Sequence, residues 1–223
     1  MTAPSVDPPA SEHPRIRRWE ASVGAFVAAL LFIPMPLQIS MGQGWLPSIL
    51  VLLLLIPLTV AQSALHRKGG WDPPPRLLRM LALAVLGLIA LAEAIVLGRL
   101  LWQLPHISQG TLLFRAAVLI WVINILVFAL CYWELDGGGP SRRARDTYGP
   151  GDFLFPQQMS ERLNQGWSPE FLDYLFLAFN TATAFSPTDT MILSRPAKAL
   201  MMTQSSISLL TVALVVGRGV NII

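Results

Sequence analysis

The sequence predicts an all-α integral membrane protein with about five transmembrane helices and one short re-entrant helix, and three observations carry that expectation. Hydrophobic residues make up 53% of the 223-residue chain and charged residues only 13%, with a mean hydropathy of +0.55, a balance typical of multi-span membrane proteins. Apolar runs of about twenty residues, the length that crosses a bilayer core as a helix, recur between polar segments. One further apolar stretch, Phe171 to Thr183, is too short for that. At 1.5 Å per residue it covers roughly 20 Å of a hydrocarbon core roughly 30 Å thick, so it is expected to enter the membrane and turn back.

Residues 1–14, rich in Pro, Ser and Ala, lack the apolar surface needed to fold and read as a disordered tail. Residues 15–104 hold three transmembrane helices. Arg15, Arg17 and Arg18 precede the first, Ala21–Ile39, in the manner of a signal peptide, but Ser40-Met41-Gly42 offers no good small-x-small cleavage site and the segment is read as a span. Pro34 and Pro36 are expected to kink it or end it early, because proline has no N–H to donate and crowds the preceding turn. The second and third spans are expected at 46–65 and 77–102. Residues 105–223 form the second unit, with a helix at 112–133, a polar loop at 134–167, the short helix at 169–183, an unwound segment at 183–189 and a last helix at 197–223.

In the polar loop, Asp136-Gly-Gly-Gly-Pro140, Arg142-Arg143-Ala-Arg145 and Tyr148-Gly-Pro-Gly151 predict flexible, solvated chain. Ser168, Pro169 and Glu170 then supply a cap, a first-turn proline and an acidic residue where the short helix begins. Beyond it, Ser186-Pro187 must leave backbone unpaired at membrane depth, which is tolerated only inside protein or beside water. Function is expected there. No internal repeat is visible, which counts against transporter folds built from inverted repeats.

A net charge of +3 is what basic membrane loops produce and does not argue for nucleic acid. The lone Cys131 lies in an apolar run and reads as an inert buried thiol, and no Cys/His cluster suggests a metal or cofactor. Glu93 and Asn124 are polar groups inside predicted spans, where such groups need partners. Arg99, near a helix end, can snorkel to the surface. It stands six residues from Glu93, about 240° around the helix, so the two do not share a face. Glu93 is expected to pair with another span or, in a sharper reading, to carry a proton; Asn124 is expected to hold helices together. His66 and His106 fall in loops on opposite membrane faces, no nucleophile accompanies them, and no enzyme chemistry is expected.

The segment Thr181-Ala-Thr-Ala-Phe-Ser-Pro-Thr-Asp189 aligns without gaps on the pattern T-x-T-T-x-G-Y-G-D, and Ala197-Lys198-Ala199-Leu200 follows in the small-basic-Ala-Leu pattern. In these residues the chain resembles the pore-loop potassium channels, over about 90 residues from Leu112 to Ile223, and is similar to bacterial five-span proteins with the same arrangement and altered filters. The resemblance implies a channel-like C-terminal pore domain made of outer helix, pore helix, filter and inner helix, four copies around one axis, in the bilayer of a bacterial inner membrane. Thr181, Thr183 and Asp189 keep the family residue, Ala184 replaces a filter threonine, Phe185 takes the apolar position, and Ser186, Pro187 and Thr188 stand where the family has Gly-Tyr-Gly. A carbonyl ladder needs glycine where the backbone takes conformations other residues resist, and proline also restrains the residue before it. The expectation is therefore a pore for a monovalent cation without the family's potassium selectivity. Thr181, Thr183, Ser186 and Thr188 would ring the path and Asp189 would stand at its mouth.

Gln204, Ser208 and Thr211 recur at i, i+4 and i+7 and form one polar stripe on the inner helix, either lining water in the pore or binding neighbouring helices. With five spans, all basic residues except Arg99, Arg115 and Arg218 fall on the face of the N-terminus and pore-loop entrance. The positive-inside rule then places that face in the cytoplasm, the reverse of the potassium channels, so either the pore is inverted, or the proline-ended first segment does not cross fully, or the likeness is one of fold without conduction. The alternative function is a non-conducting membrane protein that keeps the pore-loop fold for assembly or partner binding.

Overall fold

Within a bilayer every backbone N–H and C=O has to be paired, so a continuous helix is the form in which an apolar run can cross. Among the described residues, three helices are long and apolar enough to do so, over Arg79–His106, Gly110–Gly138 and Arg195–Leu214. They belong to a computed structural model that describes residues 18–36, 39–40, 45–46, 48–53, 75–107, 109–143, 151–160, 167–183 and 189–219. Its helices are α1 (Arg18–Leu30), α2 (Pro75–Gln103), α3 (Gly110–Leu135), the single turn α4 (Pro140–Arg143), α5 (Phe171–Thr183) and α6 (Arg195–Gly219). Strands β1 (Phe153–Leu154) and β2 (Met191–Ile192) pair antiparallel, Phe153 opposite Ile192 and Leu154 opposite Met191.

The first predicted span, Ala21–Ile39, is helical only as far as Leu30. Pro34 stands four residues later, where its ring would strike the Leu30 carbonyl of a continuing helix, and neither Pro34 nor Pro36 can donate. The chain tightens into turns instead. Phe32 N–H bonds the Ala29 carbonyl at 3.2 Å, Met35 N–H the Phe32 carbonyl at 3.2 Å, and Ile39 N–H the Pro36 carbonyl at 2.9 Å. Of the second predicted span, residues 48–53 are helical and 54–65 lie outside the described residues.

Helix α3 is the hub, and α1, α2, α5 and α6 all pack against it. Its buried side chains, including Ile120, Ile123, Val127, Phe128, Tyr132 and Trp133, point to several sides of the helix. Outward, α2 and α6 present Leu91, Ile95, Met202 and Leu209, an apolar surface suited to hydrocarbon. Trp19, at the start of α1, and Trp102, at the end of α2, are exposed as membrane-interface tryptophans are.

Helix α1 approaches through small residues, Gly24, Ala25, Ala28 and Ala29, all buried, which is how helices come close when no hydrophobic drive separates them from lipid. At Gly24 the approach is tightest. A Cβ there would lie 2.7 Å from Cζ of Phe171 on α5, and that ring is held edge-on against Trp133 of α3. Ser48 Oγ donates to the Ala29 carbonyl at 2.6 Å, and Arg99 Nε to the Ile39 carbonyl at 2.9 Å.

The loop expected to be flexible contains a packed knot in its described part. Asp136, fully buried at the end of α3, accepts from the backbone N–H of Asp152 at 2.7 Å and of Phe153 at 3.2 Å, and from Tyr174 Oη. Gly137, Gly138 and Gly139 turn the chain there with positive φ. Gly138 also lies where a Cβ would sit 2.9 Å from Arg142 Cδ. Arg143 Nη1 donates to the Trp133 carbonyl at 2.9 Å and to the Asp136 carbonyl, and its guanidinium lies over the Trp133 ring at 4.7 Å. Buried carboxylate and stacked guanidinium thus fix what glycine content alone predicts to be mobile.

Gly24→Ala is expected to lower stability in detergent by about 1–3 kcal/mol, the ordinary cost of overpacking. Adding Phe171→Leu should recover part of that loss. Chemical unfolding of both variants checks it, and an unchanged Gly24→Ala protein would mean that Phe171 moves aside freely.

Candidate functional site

Helix α5 begins where its sequence directs. Pro169 is buried before the first turn, and the Glu170 backbone N–H donates to Asp173 Oδ2 at 2.7 Å, the side chain of the first turn closing back on the cap. Burial raises the Asp173 carboxyl above the ordinary range; the bond from Glu170 N–H opposes this and the nearby Glu170 charge adds to it. Phe171, Tyr174, Leu177, Ala178 and Ala182 form the buried face. Leu172, Phe176 and Phe179 lie on the exposed side.

The path of this segment follows from its partners. Its first turn lies beside the end of α3, where Tyr174 meets Trp133 edge-on and bonds Asp136. Its last turn lies against the middle of α6, where Ser208 Oγ donates to the Ala182 carbonyl at 2.6 Å. Ser208 is 13 residues beyond Arg195, roughly 20 Å along the helix at 1.5 Å per residue. By Met191 the chain is back at β1, and Leu193 N–H bonds the Asp152 carbonyl at 2.9 Å. Entrance and return therefore share one end of the bundle.

The polar stripe of α6 does not face outward. Gln204, Ser208 and Thr211 are all buried, Gln204 completely. Gln204 Nε2 donates to the Ala178 carbonyl at 2.8 Å, and its Oε1 accepts from Tyr132 Oη at 2.5 Å. Ser205 Oγ reaches the Thr181 carbonyl at 3.5 Å, while Thr211 Oγ1 turns back to the Ile207 carbonyl at 2.8 Å. Of the two roles read from the sequence, water-lining and helix-binding, these bonds perform the second. Ser205 and Ser208 occupy the Thr181 and Ala182 carbonyls, which lie in the last turn of α5 and have no N–H partner within the helix, while Gln204 adds a donor to the Ala178 carbonyl one turn earlier.

Thr181 and Thr183 are both half-buried, and each hydroxyl donates back along its own helix, Thr181 Oγ1 to the Leu177 carbonyl at 2.8 Å and Thr183 Oγ1 to the Asn180 carbonyl at 3.1 Å. Their oxygens keep acceptor capacity. Asp189 is exposed and Thr190 buried beside β2. Ala184, Phe185, Ser186, Pro187 and Thr188 lie outside the described residues. Glu93 and Asn124 are buried and face each other between α2 and α3, far along the chain from α5.

The knot around Asp136 was not foreseen as part of the site. Its signal in the sequence was an acidic residue closing an apolar helix just before Gly-Gly-Gly, which also reads as an ordinary turn. Its partners Asp152 and Tyr174 are 16 and 38 residues away. No known family model, curated protein or solved structure matches this chain.

Gln204→Leu takes the Gln204 acceptor from the Tyr132 hydroxyl and the side-chain donor from the Ala178 carbonyl and is expected to cost about 1–3 kcal/mol. Tyr132→Phe in that background should add little, because its bond to Gln204 is already lost. Unfolding of the single and double variants in detergent measures the coupling, and purely additive losses would contradict it.

Proposed function

We propose that the chain is a channel-like protein of a bacterial inner membrane, assembling as a homotetramer around a path for a monovalent cation. The observation that carries the reading is the course of α5, which enters beside Asp136, stops against the middle of α6 and returns at β2 to the end where it entered. Together with the Thr-rich sequence and the resemblance to pore-loop potassium channels, this favours a pore helix followed by a filter segment. Thr181, Thr183, Ser186 and Thr188 contribute oxygens along the path, and Asp189 adds negative charge at the mouth. With Ser186-Pro187-Thr188 in the filter, potassium has no special advantage over other small cations.

The wall of the cavity then belongs to a different face of α6 from the stripe read in the sequence. Ala199, Thr203, Ser206, Leu210, Ala213 and Gly217 are exposed and fall within about 40° of one line along the helix at 100° per residue. Their side chains are small or hydroxylated with one exception, and the face is opposite Gln204 and Ser208. Five crossings also fit the N-terminal contacts. Gly24 lies by Phe171 at the α5 entrance, and Ile39 by Arg99 near the far end of α2, so the broken first segment reaches across despite its short helix.

A second reading has its own support. The Thr181 and Ala182 carbonyls at the inner end of α5 accept from α6 side chains, at 3.5 Å and 2.6 Å, so these two oxygens already have donors without an ion or water. That is what a non-conducting protein using the re-entrant fold for assembly needs.

Cation flux in liposomes separates the two. Purified protein is expected to pass potassium and sodium but not chloride, and a Thr183→Val, Asp189→Asn double variant that still assembles should lose most of that flux. In a Cys131→Ser background, Thr203→Cys should react with a water-soluble thiol reagent and Ser208→Cys should not. A confirmed tetramer with no flux and no reaction at position 203 would favour the non-conducting reading.

A further inference from the structure

Glu93 lies in the middle of α2 and is 4% exposed; Asn124, opposite on α3, is 0% exposed. Among the described residues, Glu93 Oε1 and both Asn124 side-chain atoms lack a hydrogen-bond partner, although the amide is close enough to act on the carboxyl. Three unpaired polar atoms in one apolar contact are costly, each by about 1–3 kcal/mol, and demand something that satisfies them together. A carboxylate at this depth also needs its charge neutralised.

No described basic side chain is placed to do so. Arg99, on the same helix, points about 240° away and donates to the Ile39 carbonyl. Among the described residues, the facing elements offer the thiol of Cys131 on α3, within range of the carboxyl's charge; Arg115 and Glu134 on α3 and His106 after α2 lie near the helix ends, and the described part of α1 beyond Glu20 has no charged residue. A bound metal cation would want about six oxygens, whereas this contact offers two carboxyl oxygens and one amide oxygen between helices whose carbonyls are already engaged. A single proton meets the need.

We infer that Glu93 and Asn124 form a proton-binding site between α2 and α3, the carboxylic acid O–H donating to the amide oxygen and the amide N–H donating to the acid carbonyl. One proton neutralises the charge, and the pair uses all three otherwise unpaired atoms. When the proton leaves, the carboxylate keeps one amide N–H and the amide oxygen loses its donor, so occupancy is read directly by the packing of α2 on α3. The site needs no assumption about conduction.

The test uses the whole protein in liposomes with dicyclohexylcarbodiimide, a membrane-soluble reagent for protonated carboxyl groups, followed by peptide mass spectrometry. The adduct is expected on Glu93, with a yield that falls as pH rises, and a water-soluble carbodiimide should leave the residue unmodified. Asn124→Leu, which removes the amide from both forms of the pair, should change the pH at which labelling is lost. Absence of the adduct, or equal labelling by the water-soluble reagent, overturns the site. An unchanged pH profile in Asn124→Leu removes the amide from it and overturns the pairing.

Discussion

A helix that ends inside apolar surroundings leaves its last carbonyls with nothing in its own backbone to bond, and the C-terminal half of this protein is organised around that requirement. Ser205 and Ser208 project from α6 where α5 stops and take the last-turn carbonyls of Thr181 and Ala182, while Gln204 adds a donor to the Ala178 carbonyl one turn earlier. The same bonds fix the axial register of α6 against α5, and Tyr132 extends the constraint to α3 through Gln204.

The other end of α5 is held by different chemistry. Around Asp136 a buried carboxylate gathers two backbone N–H groups and a tyrosine hydroxyl, with Trp133, Phe153, Phe155 and Tyr174 packed ring against ring beside it. Arg143, itself buried, supports the turn by donating to two carbonyls and stacking on Trp133 and Tyr174. Polar bonds set direction here and aromatic burial supplies most of the apolar contact. Because β2 pairs with β1 in the same region, the chain returning from α5 is attached to the structure from which α5 departs.

Much of this was legible in the residues. Three long helices followed from the apolar runs, the early stop of α1 from Pro34, and the short α5 from its length and its Ser-Pro-Glu start. The i, i+4, i+7 spacing placed Gln204, Ser208 and Thr211 on one face, but spacing gives the angle between residues and not the direction in which the face points. Only the position of α5 shows that it points inward. The packing of the described residues 134–143 and 151–160 was hidden for another reason: glycine and arginine in a row favour turns and solvation locally, and the burial of Asp136 depends on Tyr174, far along the chain. Glu93 and Asn124 stood out singly, while their pairing depends on the register of two helices.

The close approach of Gly24 to Phe171 joins residues 147 positions apart, which has a consequence for how the molecule is made. During synthesis α1 emerges long before α5, so its face of Gly24, Ala25, Ala28 and Ala29 gains partners on Ser48 and α3 first and its contact with Phe171 only when α5 has been made. Contacts of such sequence separation are closed late and slowly. Helix α1 thus settles late although it is translated before the helices it packs on, and nascent chains halted before Phe171 would hold it loosely.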